Sequence, residues 1–173
     1  LTLDGTNIDY PVLQGESNLS YINTDVYGNF ALAGSIFLDS RNSSTFADVF
    51  SLLYGHHMEN SQMFGDLDKY RSADFLQQTN TGTLLVPGGR YALRVFACIV
   101  VSASDDLIYQ PLQWQADNVP AMLDRLQADA LCVDQAAMDD LRTAQNPKVL
   151  CMSTCSSDYT DARTVVLAAM QLE

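Results

Sequence analysis

Positive charge is scarce in this chain: nine Lys and Arg residues stand against 21 Asp and Glu, for a net charge of −12. The acids are scattered, with short clusters only at Asp105-Asp106 and Asp139-Asp140. No basic stripe is present to displace counterions from a phosphate backbone, which argues against a nucleic-acid partner. Long apolar runs are missing too. None approaches the roughly 18 to 20 residues that span a bilayer, and Leu1 to Gly5 has neither the basic start nor the apolar stretch of a signal peptide. The chain as it stands is expected to be soluble, with any anchoring or export segment outside it. Four cysteines in 173 residues are too few for a disulfide framework. Histidine is rarer still, since His56 and His57 are the only two. No repeat, low-complexity tract or linker divides the sequence. A length of 173 residues, 47% hydrophobic and 17% charged, therefore suits a single domain over 1–173.

What is present is mostly strand-like. Gly5-Thr6-Asn7 precedes the short run Ile8 to Leu13, which Pro11 places at a sheet edge. Ser35 to Leu38 and Val49 to Tyr54 read as buried strands. Thr83 to Val86 and Tyr91 to Val101 are two more, joined by the turn Pro87-Gly88-Gly89. Lys148 to Thr154 and Thr164 to Ala169 complete the set. Helical spacing lies between strands: Val119, Met122, Leu123 and Leu126 recur at i, i+3, i+4 and i+7, with Asp117 or Asn118 available as a cap. Asp134 to Ala144, Met63 to Tyr70 and Ala73 to Gln78 are further helical segments. Strands at both ends with helices in the connections fit a mostly β fold, a closed or nearly closed barrel decorated by helices, better than alternating βαβ units.

Chemistry concentrates at strand ends. Cys98 lies in the apolar run Val95 to Val101 and Cys132 beside Leu131 and Val133, the setting of small buried hydrophobes. Cys155 differs, because it follows Ser153-Thr154 and precedes Ser156-Ser157-Asp158, where an apolar strand gives way to polar residues. His56 and His57 follow the strand that ends at Tyr54, and Arg163 opens the strand after Cys155. A Cys, a His and an Arg form a coherent set for acyl transfer: a thiolate attacks a carbonyl, an imidazolium protonates the departing amine, and a guanidinium donates to the developing oxyanion. A free thiol, with a reference pKa of about 8.5, is mostly protonated at neutral pH, so nearby cations favour the thiolate. Arg suits its role because it stays charged and presents a planar fork of donors. Asp158 and Asp161 could orient a base or simply solvate their loop.

His56, His57, Cys151 and Cys155 could in principle hold zinc, but the spacing argues otherwise. Four residues along a strand separate Cys151 and Cys155 by about 13 Å, too far for one tetrahedral site without distortion. No metal or other cofactor is expected.

Two stretches now resemble a known family. Lys148-Val149-Leu150-Cys151-Met152-Ser153-Thr154-Cys155, followed by Arg163-Thr164-Val165-Val166, is similar to the sortase signature, in which a strand ends in Thr-Leu-x-Thr-Cys and an Arg begins the next. Cys151 and Met152 replace the usual Thr and Leu, and both are apolar and compatible with a strand. Ile8 to Gln14, Asn18 with Tyr21-Ile22, Gly34 to Asp39, Tyr54 to Met58 and Met63-Phe64-Gly65 resemble the class B sortases in the same order. The likeness runs from about Ile8 to Leu167. In the Gly-His-Asn-Met motif of that class His57 replaces Asn, which makes His56 the match to the catalytic His. The helix expected over Asp117 to Ala128 also falls where the class carries one.

The resemblance implies an eight-stranded sortase-type β-barrel and a two-step transpeptidation. Cys155 would cleave a C-terminal sorting signal after Thr, hold the acyl group as a thioester, and pass it to an amine, with His56 and Arg163 as the other catalytic residues. It implies signals of the Asn-Pro-x-Thr or Ser/Asn-Pro-x-Thr-Gly kind on surface proteins, and an amine acceptor on a peptidoglycan precursor or a pilin. Asn18, Ile22, Ser153 and Thr154 match substrate-groove positions, and Ser156 offers a backbone N–H to the oxyanion site. It also implies residence on the extracellular face of the membrane, held there by an N-terminal segment outside this sequence. Two rivals remain: a cysteine peptidase that passes the acyl group to water, and a non-catalytic adhesin or pilus module that keeps the barrel as a scaffold.

Overall fold

Apolar runs become strands here because both faces of the sheet are covered, so side chains on either side of a run find a core. In the computed structural model, which describes residues 1–173, the strands are β1 (Thr2–Leu3), β2 (Val12–Leu13), β3 (Ile36–Leu38), β4 (Phe50–Tyr54), β5 (His57–Met58), β6 (Gln62–Met63), β7 (Thr81–Val86), β8 (Gly89–Ser102), β9 (Cys132–Val133), β10 (Val149–Cys155) and β11 (Ala162–Leu172). The helices are α1 (Ala73–Gln78), α2 (Asp106–Tyr109), α3 (Val119–Asp129) and α4 (Gln135–Thr143).

The main sheet runs β1-β7-β8-β11-β10-β4-β3-β2, with β9 added alongside β8. Its two ends meet through one stretch of chain. The Leu3 N–H bonds to Ile8 O and the Tyr10 N–H to Leu1 O, both at 3.0 Å, while Val12 and Leu13 pair with Ile36 and Phe37. The segment from Ile8 to Leu13 thus lines β1 on one side and β3 on the other. The result is a curled sheet whose eight-strand path closes on itself, with β9 as a ninth strand alongside β8.

Strand alternation distributes the core over two faces. Leu150, Met152, Val166 and Ala168 point inward into a cluster of 22 buried residues that includes Ile8, Phe64 and Tyr70. Val149, Cys151, Val165 and Leu167 point outward into a second cluster of 18, where α3 and α4 cover the sheet. Helix α3 buries Val119, Met122, Leu123 and Leu126, the stripe expected from spacing. Its expected cap is corrected: Asn118 stands at the N-cap without capping through its side chain, because its Oδ1 accepts from the Gln115 N–H and its Nδ2 donates to Gln113 O. Helix α4 is capped by Asp134, whose carboxylate accepts from the Ala137 N–H. The helical segment expected over Met63 to Tyr70 is a 3₁₀ turn, Gly65–Arg71. No helix is long and apolar enough to cross a membrane.

Candidate active site

Three strand ends carry the candidate reactive groups, and sheet register aligns them. β4 and β10 run parallel with Tyr54 opposite Ser153, so two residues further along each chain set His56 abreast of Cys155. β10 and β11 run antiparallel with Cys155 directly opposite Arg163. Neighbouring strands are about 4.8 Å apart, so Cys155 and Arg163 adjoin on paired strands, and His56, two residues past the end of β4 on the other side of β10, extends the row. Alternation puts Cys155 and Arg163 on the outer face, the side of Ser153 and Cys151. Cys155 is exposed, whereas the six preceding residues of β10 are buried. Cys151, on that same face, is fully buried among apolar side chains, which pushes its thiol pKa well up.

The turn after Cys155 is held from several sides. Asp161 adopts a left-handed φ of 62°, a conformation that Asp tolerates better than most residues. The Ser156 N–H donates to Ala162 O at 2.9 Å. Arg71, from the 3₁₀ turn, grips Asp158 with two bonds of 2.7 Å, and these, with a bond from Ser156, hold the Asp158 carboxyl well below the usual carboxylate range. Asp158 therefore anchors the turn rather than orienting a base. Arg163 is half-buried, its Nη1 donating to Ala162 O at 2.9 Å, and no carboxylate lies within ion-pair range of it.

His56 Nε2 lies 2.7 Å from the Ile22 carbonyl. A carbonyl only accepts, so Nε2 carries the hydrogen and Nδ1 is left free for proton exchange. Gly34 makes room for that carbonyl: its φ is +58°, and a Cβ there would sit 2.2 Å from Ile22 O. Ser35 holds the same segment, its N–H donating to Tyr21 O and its hydroxyl to Thr24 O. Gly55, just before His56, is pressed against Ile36 and Phe64 so closely that a Cβ would clash with both. His57 faces elsewhere and bonds through Nε2 to Asp68 at 2.8 Å.

The expected groove residues divide. Ser153 lies on the face of Cys155, its hydroxyl 2.8 Å from that of Tyr109. Tyr109 stacks on Tyr54 with 6.4 Å between ring centroids. Burial pushes both phenol pKa values up and keeps them neutral; for Tyr54 the Asp39 charge adds to the effect, and for Tyr109 the Ser153 bond opposes it. Thr154 points to the interior face and is buried, so its side chain does not join the row. The Ser156 N–H, bound to Ala162 O, is not free for an oxyanion. Asn18 is turned into the protein: Nδ2 donates to Asp39 and Oδ1 accepts from the Ser40 N–H. Ile22 contributes its backbone carbonyl, the partner of His56 Nε2. Asp39, Arg41 and Tyr109 were not anticipated. Asp39 ends the Gly34 to Asp39 motif, but nothing local marks it as the hub on which Asn18, Arg41 and Tyr54 converge.

A cleft of about 660 Å³, lined by Tyr91, Leu93, Arg94, Leu141, Lys148 and Met170 among others, sits at the opposite end of β11. Nine strand residues, about 30 Å, separate Leu172 from Arg163, so this cleft is not part of the row.

The sortase domain profile matches residues 1–171. Sortase B of Listeria monocytogenes is 32% identical over 170 residues, covering 96% of this chain and 66% of that protein, so the chain spans about two thirds of that relative's length. A class B sortase of Streptococcus pyogenes involved in pilus biogenesis superposes with a TM-score of 0.85 at 34% identity, covering 98% of this chain and 89% of that one. The Staphylococcus aureus sortase B–substrate complex superposes with a TM-score of 0.83 at 29% identity, covering 98% and 76%. With a profile match over nearly its whole length, and a fold that agrees with that match, the chain belongs to the sortase family.

Proposed function

We propose that this domain is a class B cysteine transpeptidase, with the row of His56, Cys155 and Arg163 as its reactive centre. The observation that carries the proposal is the register: an exposed Cys155 at the end of a buried strand, with Arg163 opposite it on one neighbouring strand and His56 two residues past the end of the other. Cys155 Sγ attacks the carbonyl of the Thr in a C-terminal sorting signal. Arg163 donates to the oxygen as it gains charge, the role left open by the committed Ser156 N–H. His56 gives a proton through Nδ1 to the departing amine while Nε2 stays on Ile22 O. The C–N bond breaks, the C-terminal remainder leaves, and a thioester remains on Cys155. An incoming amine attacks the thioester, its proton passes to His56, and the thiolate leaves.

Ser153 and the Tyr54–Tyr109 stack form the floor of the substrate groove, with the segment from Asn18 to Ile22 as its wall. The signal is of the Asn-Pro-x-Thr or Ser/Asn-Pro-x-Thr-Gly kind, and the acceptor is an amine of a peptidoglycan precursor or of a pilin. The relative involved in pilus biogenesis supports the second acceptor. Attachment to the extracellular face of a membrane would come from a segment outside these residues. The test is mass spectrometry on the protein mixed with sorting pentapeptides and triglycine, the ligand with which a class B relative has been solved. A thioester adduct on Cys155 and a ligated peptide are expected. Free peptide acid alone points to a hydrolase, and no adduct with any peptide refutes catalysis.

A further inference from the structure

Behind the reactive row, on the interior side of the sheet, a single carboxylate touches two of the chain segments that carry it. Asp68 lies in the 3₁₀ turn Gly65–Arg71. Its Oδ1 accepts from the Thr164 hydroxyl at 3.0 Å, and its Oδ2 from His57 Nε2 at 2.8 Å. Thr164 directly follows Arg163, and His57 directly follows His56. Strand alternation turns Thr164 away from the face that bears Cys155 and Arg163, so Asp68 stands opposite the substrate side. Thr164 is completely buried, and Asp68 is its hydroxyl's partner.

This contact contributes little as an ion pair, because His57 and Asp68 are 36% and 42% exposed and such pairs are weak. Its consequence is geometric. β4 and β11 do not pair with each other, because β10 lies between them; Asp68 bridges the two flanks across the end of β10. Arg71, from the same turn, fixes the loop beyond Cys155 through Asp158. We infer that Asp68 is a positioning residue, setting the placement of His56 and Arg163 on either side of Cys155. The inference rests on the transpeptidase activity proposed above.

The test compares wild type with Asp68→Ala, Asp68→Asn and Thr164→Val. A displacement of about 1 Å in a reacting group can cost about a hundredfold, so Asp68→Ala is expected to lower kcat about tenfold to a hundredfold while KM for the peptide stays within about twofold. Asp68→Asn keeps an oxygen for Thr164 and should recover part of the loss. Asp68→Ala combined with Thr164→Val should fall no further than Asp68→Ala alone, because the link that Thr164→Val cuts is already gone in that variant. His57→Leu should resemble Asp68→Ala, and His57→Asn, which keeps an N–H donor, should not. Alkylation of Cys155 by iodoacetamide supplies a readout free of peptide; its rate at neutral pH is expected to fall several-fold in Asp68→Ala as His56 and Arg163 shift relative to Sγ. If wild type forms no acyl-enzyme, the proposed activity fails, and the alkylation rates still judge Asp68. The inference is overturned by a wild-type alkylation rate in Asp68→Ala, by a kcat within about twofold of wild type, by a loss confined to KM, or by losses that multiply in the double variant.

Discussion

Replacing Asp39 by Ala should destabilise the domain and loosen the wall beside His56. Asp39 is completely buried and accepts from the Arg41 backbone N–H, Arg41 Nε and Nη2, Asn18 Nδ2 and the Tyr54 hydroxyl, all between 2.8 and 2.9 Å. Truncating one partner of a buried charge pair costs about 3 to 5 kcal/mol. Arg41 is 40% exposed and can turn to water, which brings the expected cost to about 2 to 3 kcal/mol. At about 2 to 4 °C per kcal/mol for a domain of this size, Tm should fall by about 5 to 10 °C. The same hub sets a pH dependence. Burial by itself would raise the Asp39 pKa, but the bonds from Arg41, Asn18 and Tyr54 outweigh it and bring the value down to about 2. A folded pKa below the unfolded value of about 3.9 means that Asp39 stabilises above about pH 4 and that this contribution disappears as pH falls through about 2; allowing for solvent screening it is about 1 to 2 kcal/mol. Thermal melts followed by circular dichroism at about pH 6 and about pH 2.5 measure both effects, with Asp39→Asn as the uncharged isostere. The difference between wild type and Asp39→Asn should shrink at the lower pH. A Tm of Asp39→Ala within about 2 °C of wild type, or a difference that does not change with pH, refutes the argument.

Other expected outcomes follow from the same geometry. Cys155→Ala should abolish acyl-enzyme formation in mass spectra while the circular dichroism spectrum persists; Cys151→Ala should stay active and lose only stability, because its thiol lies in the outer core. His56→Ala should lose about 10²-fold or more in kcat/KM, and His57→Asn should be nearly neutral in the same assay. Arg163→Ala should lose about 10² to 10³ in kcat, with Arg163→Lys recovering only part, since Lys keeps the charge without the fork of donors. Gly34→Ala should lower kcat by driving a Cβ against Ile22 O, the carbonyl that holds His56; unchanged kinetics in that variant would show that the His56 bond does not matter.

By itself the amino-acid sequence determined the apolar runs that became β2, β3, β4, β7, β8, β10 and β11, though not the two-residue strands β1 and β9, together with the apolar stripe of α3 and the residue types at the ends of β4, β10 and β11. These are local properties: a buried strand needs a continuous apolar run, a covered helix a 3.6-residue period, and a reactive side chain a place where the run stops. The family signature around Cys155 and Arg163 was legible for the same reason, being written in contiguous residues. Tertiary structure alone decided that Tyr54 pairs with Ser153, which brings His56 level with Cys155 across about 100 residues of chain. It also turned Thr154 inward, tied Asn18 to Asp39, committed the Ser156 N–H to Ala162, and set Asp68 behind Thr164 and His57. No local pattern encodes those partnerships, because a side-chain hydrogen bond depends on which distant segment the closed sheet brings within about 3 Å, and that follows from strand order and register.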